Sequence, residues 1–482
     1  MTRYLLALLA GVLVAVSLPP FGWWPLAFVG LALLYRVLEG ASPRARLLLG
    51  WLAGLGMWGI GWFWFTEFTG PGGVASILAE SLFLGLGAVL VPPRAGRVVA
   101  FPTAVVLVEM LRGVWPFEGL PLAGVALGQV AGPLAPFARV AGGLGLLLLA
   151  AGLGVALAEL LRRRGRRRGR VAVVAVGLVA LAALAGMVAP DGGPDRGTID
   201  IAVVQGGGRR GFRAIESNPT DVERAHFQAM QAVRGHPDLV FLPEDVIDVE
   251  GSVTRTPEAT ALAAEAERFR STLVVGVVEG QGTDHFHNAA VAWGPDGRIL
   301  GRYEKVRRVP FGEYIPFRGL VGRIGDISAV PADAIKGTGP GLLRTPAGRL
   351  GVMISYEVFF NDRNRAAVRA GAQVLLVPTN AASFSTSQVP TQELAAARLR
   401  ALEAGRWLAQ AGPTGYSGII DPDGHIRRRS VLGARQIISG RLGLRHGRTL
   451  FDRWGDVPVI ALALAGLVAG LVAQARAAAR RD

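Results

Sequence analysis

Three polar side chains stand where apolar segments of this sequence end, and their types suit acyl chemistry. Glu244 closely follows the apolar run 239–242, Lys305 lies near the end of a second such segment, and Ser355 directly follows the run 350–354. A hydroxyl nucleophile needs an adjacent base, which a carboxylate can supply. An ammonium directed at a developing oxyanion stabilises a tetrahedral intermediate. The sequence therefore offers a candidate nucleophile, a candidate base and a candidate cation at the ends of three apolar segments.

Supporting residues lie close to this set in the sequence. The rigid loop 309–316, rich in proline and glycine, carries Glu313, and Tyr356 and Glu357 come directly after the candidate nucleophile. Taken singly, a glutamate or serine after a strand is more often a solvated or turn residue. The functional interpretation therefore depends on the order in which these segments occur.

The elements around these residues predict a layered α/β domain, because β-rich runs alternate with helical patterns between residues 199 and 440. The strand candidates are 199–205, 239–242, 272–278, 288–293, 350–354 and 373–377. The helix candidates are 220–234, 257–270, 363–370 and 389–404.

The composition excludes several classes of site. The 482 residues include no cysteine, so disulfides, thiolate chemistry and cysteine-ligated metals are excluded. The six histidines are scattered without an HExxH pattern, and we predict no cofactor and no metal. Charged residues make up 18%, against about 25% in soluble proteins, which indicates a membrane protein. The net charge is +15, and the basic residues stand beside hydrophobic runs. We therefore predict contact with the lipid bilayer and no binding of nucleic acid.

Eight apolar segments are candidates for transmembrane helices, seven before the α/β region and one after it. They are roughly 4–18, 23–38, 47–66, 74–91, 98–112, 138–160, 171–189 and 457–475. The prediction is a multi-pass α-helical membrane domain at 1–190, an α/β domain at 195–450 and a C-terminal transmembrane helix at 457–475.

The arginines between these segments predict the orientation. With the N-terminus inside, every strongly basic connection falls on the inner side, as the positive-inside rule requires. These connections contain Arg44 and Arg46, Arg94 and Arg97, the run 162–170 with seven arginines, and the C-terminal tail. The α/β domain follows the seventh span, so we expect it on the extracytoplasmic face of the cytoplasmic (inner) membrane.

The order of the motifs resembles the nitrilase (carbon–nitrogen hydrolase) superfamily, whose catalytic groups are Glu, Lys and Cys. It runs from Pro243-Glu244 through Lys305 and VPFGEYIP at 309–316 to Ile354-Ser-Tyr-Glu357. The stretches 378–380, 392–406 and 414–424 look like the distal half of that superfamily. The resemblance implies an αββα sandwich. With spans on both sides of this domain, the whole chain resembles the bacterial apolipoprotein N-acyltransferases.

That resemblance implies a reaction and a set of roles. The enzyme would transfer an acyl chain from a membrane phospholipid to the N-terminal amine of a diacylglyceryl-Cys apolipoprotein, the last step of lipoprotein maturation. Glu244 would be the general base, Lys305 would stabilise the oxyanion, and residue 355 would carry the acyl intermediate. The supporting residues would be Glu313, Tyr356 and Glu357.

Ser355 stands where the superfamily has its catalytic Cys, and Glu393 stands where it has a His after Gln392. A thiol is partly ionised near neutral pH, whereas a hydroxyl depends far more on its base. An engineered Cys-to-Ser form, a natural serine variant and a pseudoenzyme are all compatible with this sequence. Two other functions also stay open, namely a membrane-anchored amidase or nitrilase on a small soluble substrate and a lipid- or partner-binding pseudoenzyme.

Overall fold

A computed structural model describes residues 1–162, 166–211, 218–323 and 327–480 of the chain. The chain divides into two compact units, of which the first joins Met1–Ala189 to Arg453–Asp482 and the second is Pro190–Asp452. Three residues of the predicted arginine run, 163–165, and the last two residues of the C-terminal tail lie outside the described residues.

The α-helices of the described residues occur in both units and differ widely in length. In chain order they are α1 (Thr2–Val16), α2 (Leu26–Val37), α3 (Pro43–Gly61), α4 (Phe65–Thr69), α5 (Pro71–Leu90), α6 (Arg97–Arg112), α7 (Val125–Gln129), α8 (Ala138–Arg162), α9 (Arg166–Val188), α10 (Pro219–Met230), α11 (Pro257–Phe269), α12 (Arg318–Val321), α13 (Asn361–Arg369), α14 (Gln388–Ala404), α15 (Leu450–Trp454) and α16 (Val457–Ala479).

Each segment proposed as a span coincides with a helix of the first unit, but the helices differ in their capacity to cross a membrane. Among the described residues, four segments are long and apolar enough by themselves: Gly72–Leu90, Ala135–Arg162, Gly169–Val188 and Val457–Ala479. The helices α1 and α2 are apolar but have only 15 and 12 residues. The structure therefore supports several spanning helices and does not confirm the predicted number of eight.

Within the first unit, one buried arginine compensates two carboxylates. The side chain of Arg112 is fully buried, and it donates to Glu80 Oε2 at 2.6 Å and to Glu109 Oε2 at 2.7 Å. Its guanidinium also lies 4.3 Å from the centre of the Trp58 ring. Pairing of this kind is what makes charged groups tolerable in an apolar environment.

In its described residues, the second unit has two β-sheets. The strands are β1 (Thr198–Gln205), β2 (Leu239–Phe241), β3 (Ile247–Glu250), β4 (Thr272–Gln281), β5 (His285–Trp293), β6 (Ile299–Glu304), β7 (Asp333–Ala334), β8 (Leu342–Thr345), β9 (Gly348–Val352), β10 (Val374–Pro378), β11 (Leu408–Ala411), β12 (Gly418–Ile420), β13 (Ile426–Arg429) and β14 (Gln436–Gly443). The first sheet has the order β14-β1-β2-β4-β5-β6, with β3 beside β4 and β7 beside β5. The second has the order β13-β12-β11-β10-β9-β8.

The alternation of side chains along β1 shows how the layers are built. Ile199, Ile201 and Val203 belong to a core shared by both sheets. Ala202 and Val204 point the other way, into a core that includes residues of α10 and α11. Successive side chains of a strand face opposite sides, so a strand that is apolar throughout must be covered on both.

The helices α13 and α14 pack against β9 and β11 of the second sheet, which completes an α/β domain of four layers, αββα. Each fully buried Val, Leu or Ile of these cores contributes about 1.5–3 kcal/mol. The predicted αββα sandwich is confirmed.

Candidate active site

Glu244 is held just beyond the carboxyl end of β2 by backbone hydrogen bonds to β4. The Leu242 N–H donates to Val274 O at 2.9 Å, and the Gly276 N–H donates to Pro243 O at 2.9 Å. The lack of a side chain at position 276 matters, because a Cβ atom there would lie 2.5 Å from Glu244 Cα. The sequence of β4 therefore determines how closely the Glu244 backbone approaches the sheet.

Lys305 directly follows β6, and two carboxylates share its buried ammonium. Its Nζ lies 2.9 Å from Glu244 Oε1 and 2.6 Å from Glu313 Oε1. Asn288 of β5 donates from Nδ2 to the same two oxygens at 2.9 and 3.1 Å. The Lys305 N–H also donates to the Asn288 carbonyl at 2.9 Å, which fixes the end of β6 beside β5. We call Glu244, Lys305, Glu313 and Asn288 the ionic cluster.

The loop that carries Glu313 is closed by its own hydrogen bonds. The Glu313 N–H donates to Val309 O at 2.8 Å, and the Val309 N–H donates back to Glu313 Oε2 at 2.7 Å. The Phe311 N–H donates to Tyr314 O at 2.8 Å. One carboxylate oxygen thus closes the loop, and the other is left to accept from Lys305.

The protonation state of Lys305 follows from this pairing. Burial by itself lowers the pKa of the Lys305 ammonium, but the charges of Glu244 and Glu313 and their hydrogen bonds raise that pKa above its usual value. The side chain therefore stays protonated at physiological pH. A fixed cation of this kind can stabilise an oxyanion without reorganising during the reaction.

Ser355 begins a short 3₁₀ helix, Ser355–Phe359, soon after the end of β9. Its φ of +49° lies in the left-handed region. A residue other than glycine pays about 1–3 kcal/mol for such a conformation, and strained residues of this kind cluster at active sites. The side chain is nearly buried, with 8% of its surface exposed.

Glu357 ties the turn at Ser355 to the segment that carries Lys305. Its carboxylate accepts from the N–H groups of the two residues after Lys305, at 2.7 and 3.0 Å, and from the Ile354 N–H at 2.8 Å. The Tyr303 hydroxyl lies 2.8 and 2.9 Å from the two carboxylate oxygens, and its single proton is shared between them. Because Glu357 is completely buried, its carboxylate orders these two segments from within the protein.

Tyr356, beside the candidate nucleophile, is packed within an aromatic group. Its ring centre lies 6.2 Å from that of Phe359 and 5.0 Å from that of Phe360. The side chain is only 6% exposed. These contacts restrict the Tyr356 ring directly after the turn that presents the hydroxyl of Ser355.

The Ser355 hydroxyl belongs to a chain of two hydrogen bonds that starts at Ser355 and ends at Glu393 of α14. Thr379 Oγ1 lies 3.3 Å from Ser355 Oγ and 2.7 Å from Glu393 Oε1. The Thr379 N–H donates to Ala411 O at 2.8 Å, which fixes Thr379 at the end of β10. We call Ser355, Thr379 and Glu393 the hydroxyl chain.

Two observations relate the hydroxyl chain to the ionic cluster. The charges of Glu244 and Lys305 act on the pKa of Glu393, so the two groups lie within electrostatic range. Asn380, next to Thr379, donates to Asp245 Oδ2, next to Glu244, at 3.3 Å.

The structure thus gathers the candidate residues in two sets. The ionic cluster contains Glu244, Lys305 and Glu313, the hydroxyl chain contains Ser355, and Glu357 joins the segments of both.

The sequence patterns did not predict Asn288 or Thr379 as site residues. Glu393 was distinguished only because the superfamily has a His at its position. Asn288 could have been found as a polar residue inside the apolar strand β5. Thr379 and Glu393 gave no comparable signal, because a threonine after a strand and a glutamate in a helix are common surface residues. Both are buried here, with 0% and 4% exposure.

In the parts of the chain that the structure describes, one group of His and carboxylate side chains is close enough to hold a metal ion: Asp421, Asp423 and His425. The buried Asp421 already pairs with Arg427, 2.6 Å away, and its two companions are exposed on a turn. This group involves neither the ionic cluster nor the hydroxyl chain.

The fold and these residues define the class of the second unit. Residues 200–445 match the family model described as carbon-nitrogen hydrolase, and residues 10–156 match the model described as apolipoprotein N-acyltransferase N-terminal domain. The four-layered domain therefore belongs to the carbon–nitrogen hydrolase class.

Relatives over the full length identify the particular family. The chain is 34% identical to an apolipoprotein N-acyltransferase of Methylococcus capsulatus, over 100% of this chain and 97% of the relative. It is 32% identical to that of Azotobacter vinelandii, over 95% and 93%. The chain belongs to the apolipoprotein N-acyltransferase family. The predictions of the family and of an acyltransferase are confirmed, and with its apolar helices the chain is an integral membrane protein.

Two solved structures are similar to about half of this chain. Saccharomyces cerevisiae Nit3, a member of the nitrilase superfamily, is 22% identical with a TM-score of 0.39, covering 54% of this chain and 95% of that one. An amidase from Nesterenkonia sp. is 21% identical with a TM-score of 0.39 and the same coverage.

Proposed function

We propose that this protein transfers an acyl chain from a membrane phospholipid to the N-terminal amine of diacylglyceryl-Cys apolipoproteins, through an ester on Ser355. The observation that carries the proposal is the buried bridge at Glu357, which binds backbone N–H groups on both sides of the site. One of the two segments carries Lys305, which stays protonated, and the other carries Ser355, whose backbone is strained. The Glu357 carboxylate orders both segments. Family membership supplies the substrates.

The first half-reaction forms the acyl-enzyme. Ser355 Oγ attacks the ester carbonyl carbon of the phospholipid, and the hydroxyl proton passes to a carboxylate of the site. The oxyanion is stabilised by Lys305 and by the backbone N–H of Tyr356. When the intermediate collapses, the bond to the glycerol oxygen breaks, and that oxygen takes a proton as lysophospholipid leaves.

The second half-reaction transfers the acyl chain. The amine of the apolipoprotein attacks the Ser355 ester, and Glu244 acts as general base for the proton that the amine loses. Lys305 stabilises the second oxyanion. Collapse forms the amide and returns a proton to Ser355 Oγ, so the enzyme is restored. Glu313 supports the reaction by holding Lys305, and Tyr356 and Glu357 support it by holding the turn.

The substrates are both anchored in a bilayer, and we therefore propose a specific membrane arrangement. It has a membrane domain at 1–190, a catalytic domain at 195–450 and a transmembrane helix at 457–475. Eight spans place the basic connections inside and the catalytic domain on the extracytoplasmic face. A site at the membrane surface brings both substrates together.

The absence of cysteine makes this arrangement easy to test by labelling. Two single variants are made: Thr283→Cys, at an exposed turn of the catalytic domain, and Arg44→Cys, at the exposed start of α3 on the proposed inner side. Intact cells that carry either variant are treated with a membrane-impermeant thiol reagent. We expect labelling at position 283 and protection at position 44 until the cells are opened. The reverse pattern would contradict the proposed orientation.

Trapping the intermediate tests the reaction itself. Purified protein is incubated with phospholipid that carries a labelled acyl chain, and the peptide containing residue 355 is isolated. We expect a labelled ester on Ser355 that a diacylglyceryl peptide with a free amine converts to a labelled amide. Ser355→Ala should capture nothing, and Ser355→Cys should capture a thioester. If neither the serine nor the cysteine form captures the label, the proposed function is wrong.

A further inference from the structure

A serine nucleophile at position 355 needs more help from a base than a cysteine at the same position would. A hydroxyl is hardly ionised at neutral pH, so it becomes a useful nucleophile only if a base takes its proton during the attack. The base must lie within hydrogen-bonding reach of that proton, directly or through one intervening group. Among the described residues, the hydroxyl contacts Thr379, and Thr379 contacts Glu393.

The distances indicate the direction of this chain. A hydroxyl has one proton, and its shorter contact marks the bond it donates, because bonds from hydroxyls to carboxylates are about 2.5–2.7 Å long. Thr379 Oγ1 is 2.7 Å from Glu393 Oε1 and 3.3 Å from Ser355 Oγ. Thr379 therefore gives its one proton to Glu393. The 3.3 Å contact has the geometry of a bond from Thr379 to Ser355, so the Ser355 hydroxyl must turn towards Thr379 Oγ1 before it can donate along this contact. The longer contact is of the kind that tightens when substrate binds.

Glu393 is equipped to receive a proton. It is 4% exposed, and its Oε2 has no hydrogen-bond partner among the described residues. Burial raises the pKa of Glu393 to about 7; the Glu244 charge also raises it, and the Thr379 hydrogen bond and the charges of Lys305 and Arg210 lower it. A base works best when its pKa lies near the pH at which it acts.

The Glu244 carboxylate is engaged elsewhere. Its Oε1 accepts from Lys305 and from Asn288, both at 2.9 Å, within the ionic cluster. The two carboxylates thus have different surroundings, one bound to a cation and one buried without an ion pair among the described residues. This difference suits them to different half-reactions.

We propose that Thr379 and Glu393 form a proton relay that activates Ser355 in the first half-reaction. As the bond from Ser355 Oγ to the acyl carbon forms, the Ser355 proton passes to Thr379 Oγ1, and the Thr379 proton passes to Glu393. When the intermediate collapses, the proton returns along the same path to the departing glycerol oxygen. Thr379 touches the reacting atom, and Glu393 is a positioning residue that acts through it. The relay rests on the proposed function, because it serves the same serine.

The test measures single-turnover acylation of the full-length protein by labelled phospholipid at several pH values. Glu393→Gln and Thr379→Val should each lower the rate about 100-fold. Thr379→Ser keeps the hydroxyl and should restore most of the rate. The wild-type rate should rise as the pH passes about 7, where Glu393 loses its proton, and this rise should be absent in Glu393→Gln.

The same variants in a Ser355→Cys background separate proton transfer from folding. A thiol needs less help from a base, so Glu393→Gln should cost far less there than in the serine protein. Equal losses in both backgrounds, or no loss with serine, would overturn the relay. Acylation of Ser355→Cys without any acylation of the serine protein would overturn the relay and leave acyl transfer standing. No acylation of either form would overturn both.

Discussion

The two halves of the site differ in how completely they are built. The ionic cluster extends from the first sheet and satisfies Lys305 with two carboxylates at 2.6 and 2.9 Å. The hydroxyl chain extends from the second sheet and includes one contact of 3.3 Å and one carboxylate oxygen without a partner in the described residues. The first holds the Lys305 ammonium between two carboxylates, and the second retains the capacity to bind a proton.

This contrast fits the two tasks of acyl transfer. Stabilising an oxyanion requires a charge that is already in place and does not move. The two carboxylates that bind the Lys305 ammonium hold it in this way. Taking the proton from a hydroxyl that is hardly ionised requires a base that the hydroxyl reaches directly or through one intervening group, and the Thr379–Glu393 contact supplies such a base. Each half of the site thus has the surroundings that its chemistry needs.

Removal of the lysine should disrupt the ionic cluster and have the largest effect. Lys305→Ala leaves the carboxylates of Glu244 and Glu313 buried together without a cation, which should lower the free energy of unfolding by about 3–5 kcal/mol. Acylation should fall at least about 100-fold. Chemical denaturation and adduct formation measure the two effects. Lys336→Ala, at an exposed site, is the control, and a similar loss in that variant would refute the assignment.

Replacing the Glu393 carboxylate by a neutral group should stabilise the protein and slow acylation. This result would sharpen the contrast between the ionic cluster and the hydroxyl chain. Burial raises the Glu393 pKa from 4.5 to about 7, so the folded protein binds this proton more tightly than the unfolded chain does. Stability from this group is complete below about pH 4.5 and is lost as the pH rises through about 7, at a cost of about 3 kcal/mol.

Glu393→Gln should therefore raise the free energy of unfolding at pH 8 and give little gain at pH 4.5. Denaturant titrations at the two pH values measure this difference. The matched control is Glu267→Gln at an exposed position, which should show no such gain. A Glu393→Gln variant that is less stable at pH 8 would contradict the prediction.

Weakening the hydrogen bonds of Glu357, which join the two halves of the site, should have an intermediate effect. In Glu357→Gln one oxygen becomes an amide nitrogen, which leaves at least one buried N–H donor unsatisfied and costs about 2 kcal/mol. We expect slower acylation in single-turnover experiments, because the turn at Ser355 is then less firmly held. Tyr303→Phe removes one donor and keeps the carboxylate, so its effect should be smaller. Equal effects of the two variants would argue against this role.

A methyl group at position 276 should have the smallest of these effects. In Gly276→Ala the Cβ atom would lie 2.4 Å from Pro243 O, so the segment before Glu244 must shift. We expect a loss of at least about 1 kcal/mol of unfolding free energy, with slower transfer to the amine. Gly301→Ala, where the nearest atom would be 3.8 Å away, is the control. Equal rates for both variants would show that the approach to β4 is unimportant.

The sequence predicted the elements well where local signals were strong. The strand candidates 199–205 and 272–278 correspond to β1 and β4, because apolar runs between turn residues indicate buried strands. The strands β3 and β14 were not predicted. Ile247–Glu250 is only four residues long, and β14 is partly exposed, so neither contains a continuous apolar run.

Residue types and their order along the chain were enough to select Glu244, Lys305 and Ser355 and to exclude thiol chemistry, because these properties need no coordinates. Only the tertiary structure decided which groups touch them. Hydrogen bonds act over about 3 Å, and the contacts of Lys305 with Glu244 and of Thr379 with Glu393 join residues from different strands and helices. Whether a glutamate is a solvated surface group or a buried proton acceptor depends on what packs around it, and that is set by the fold.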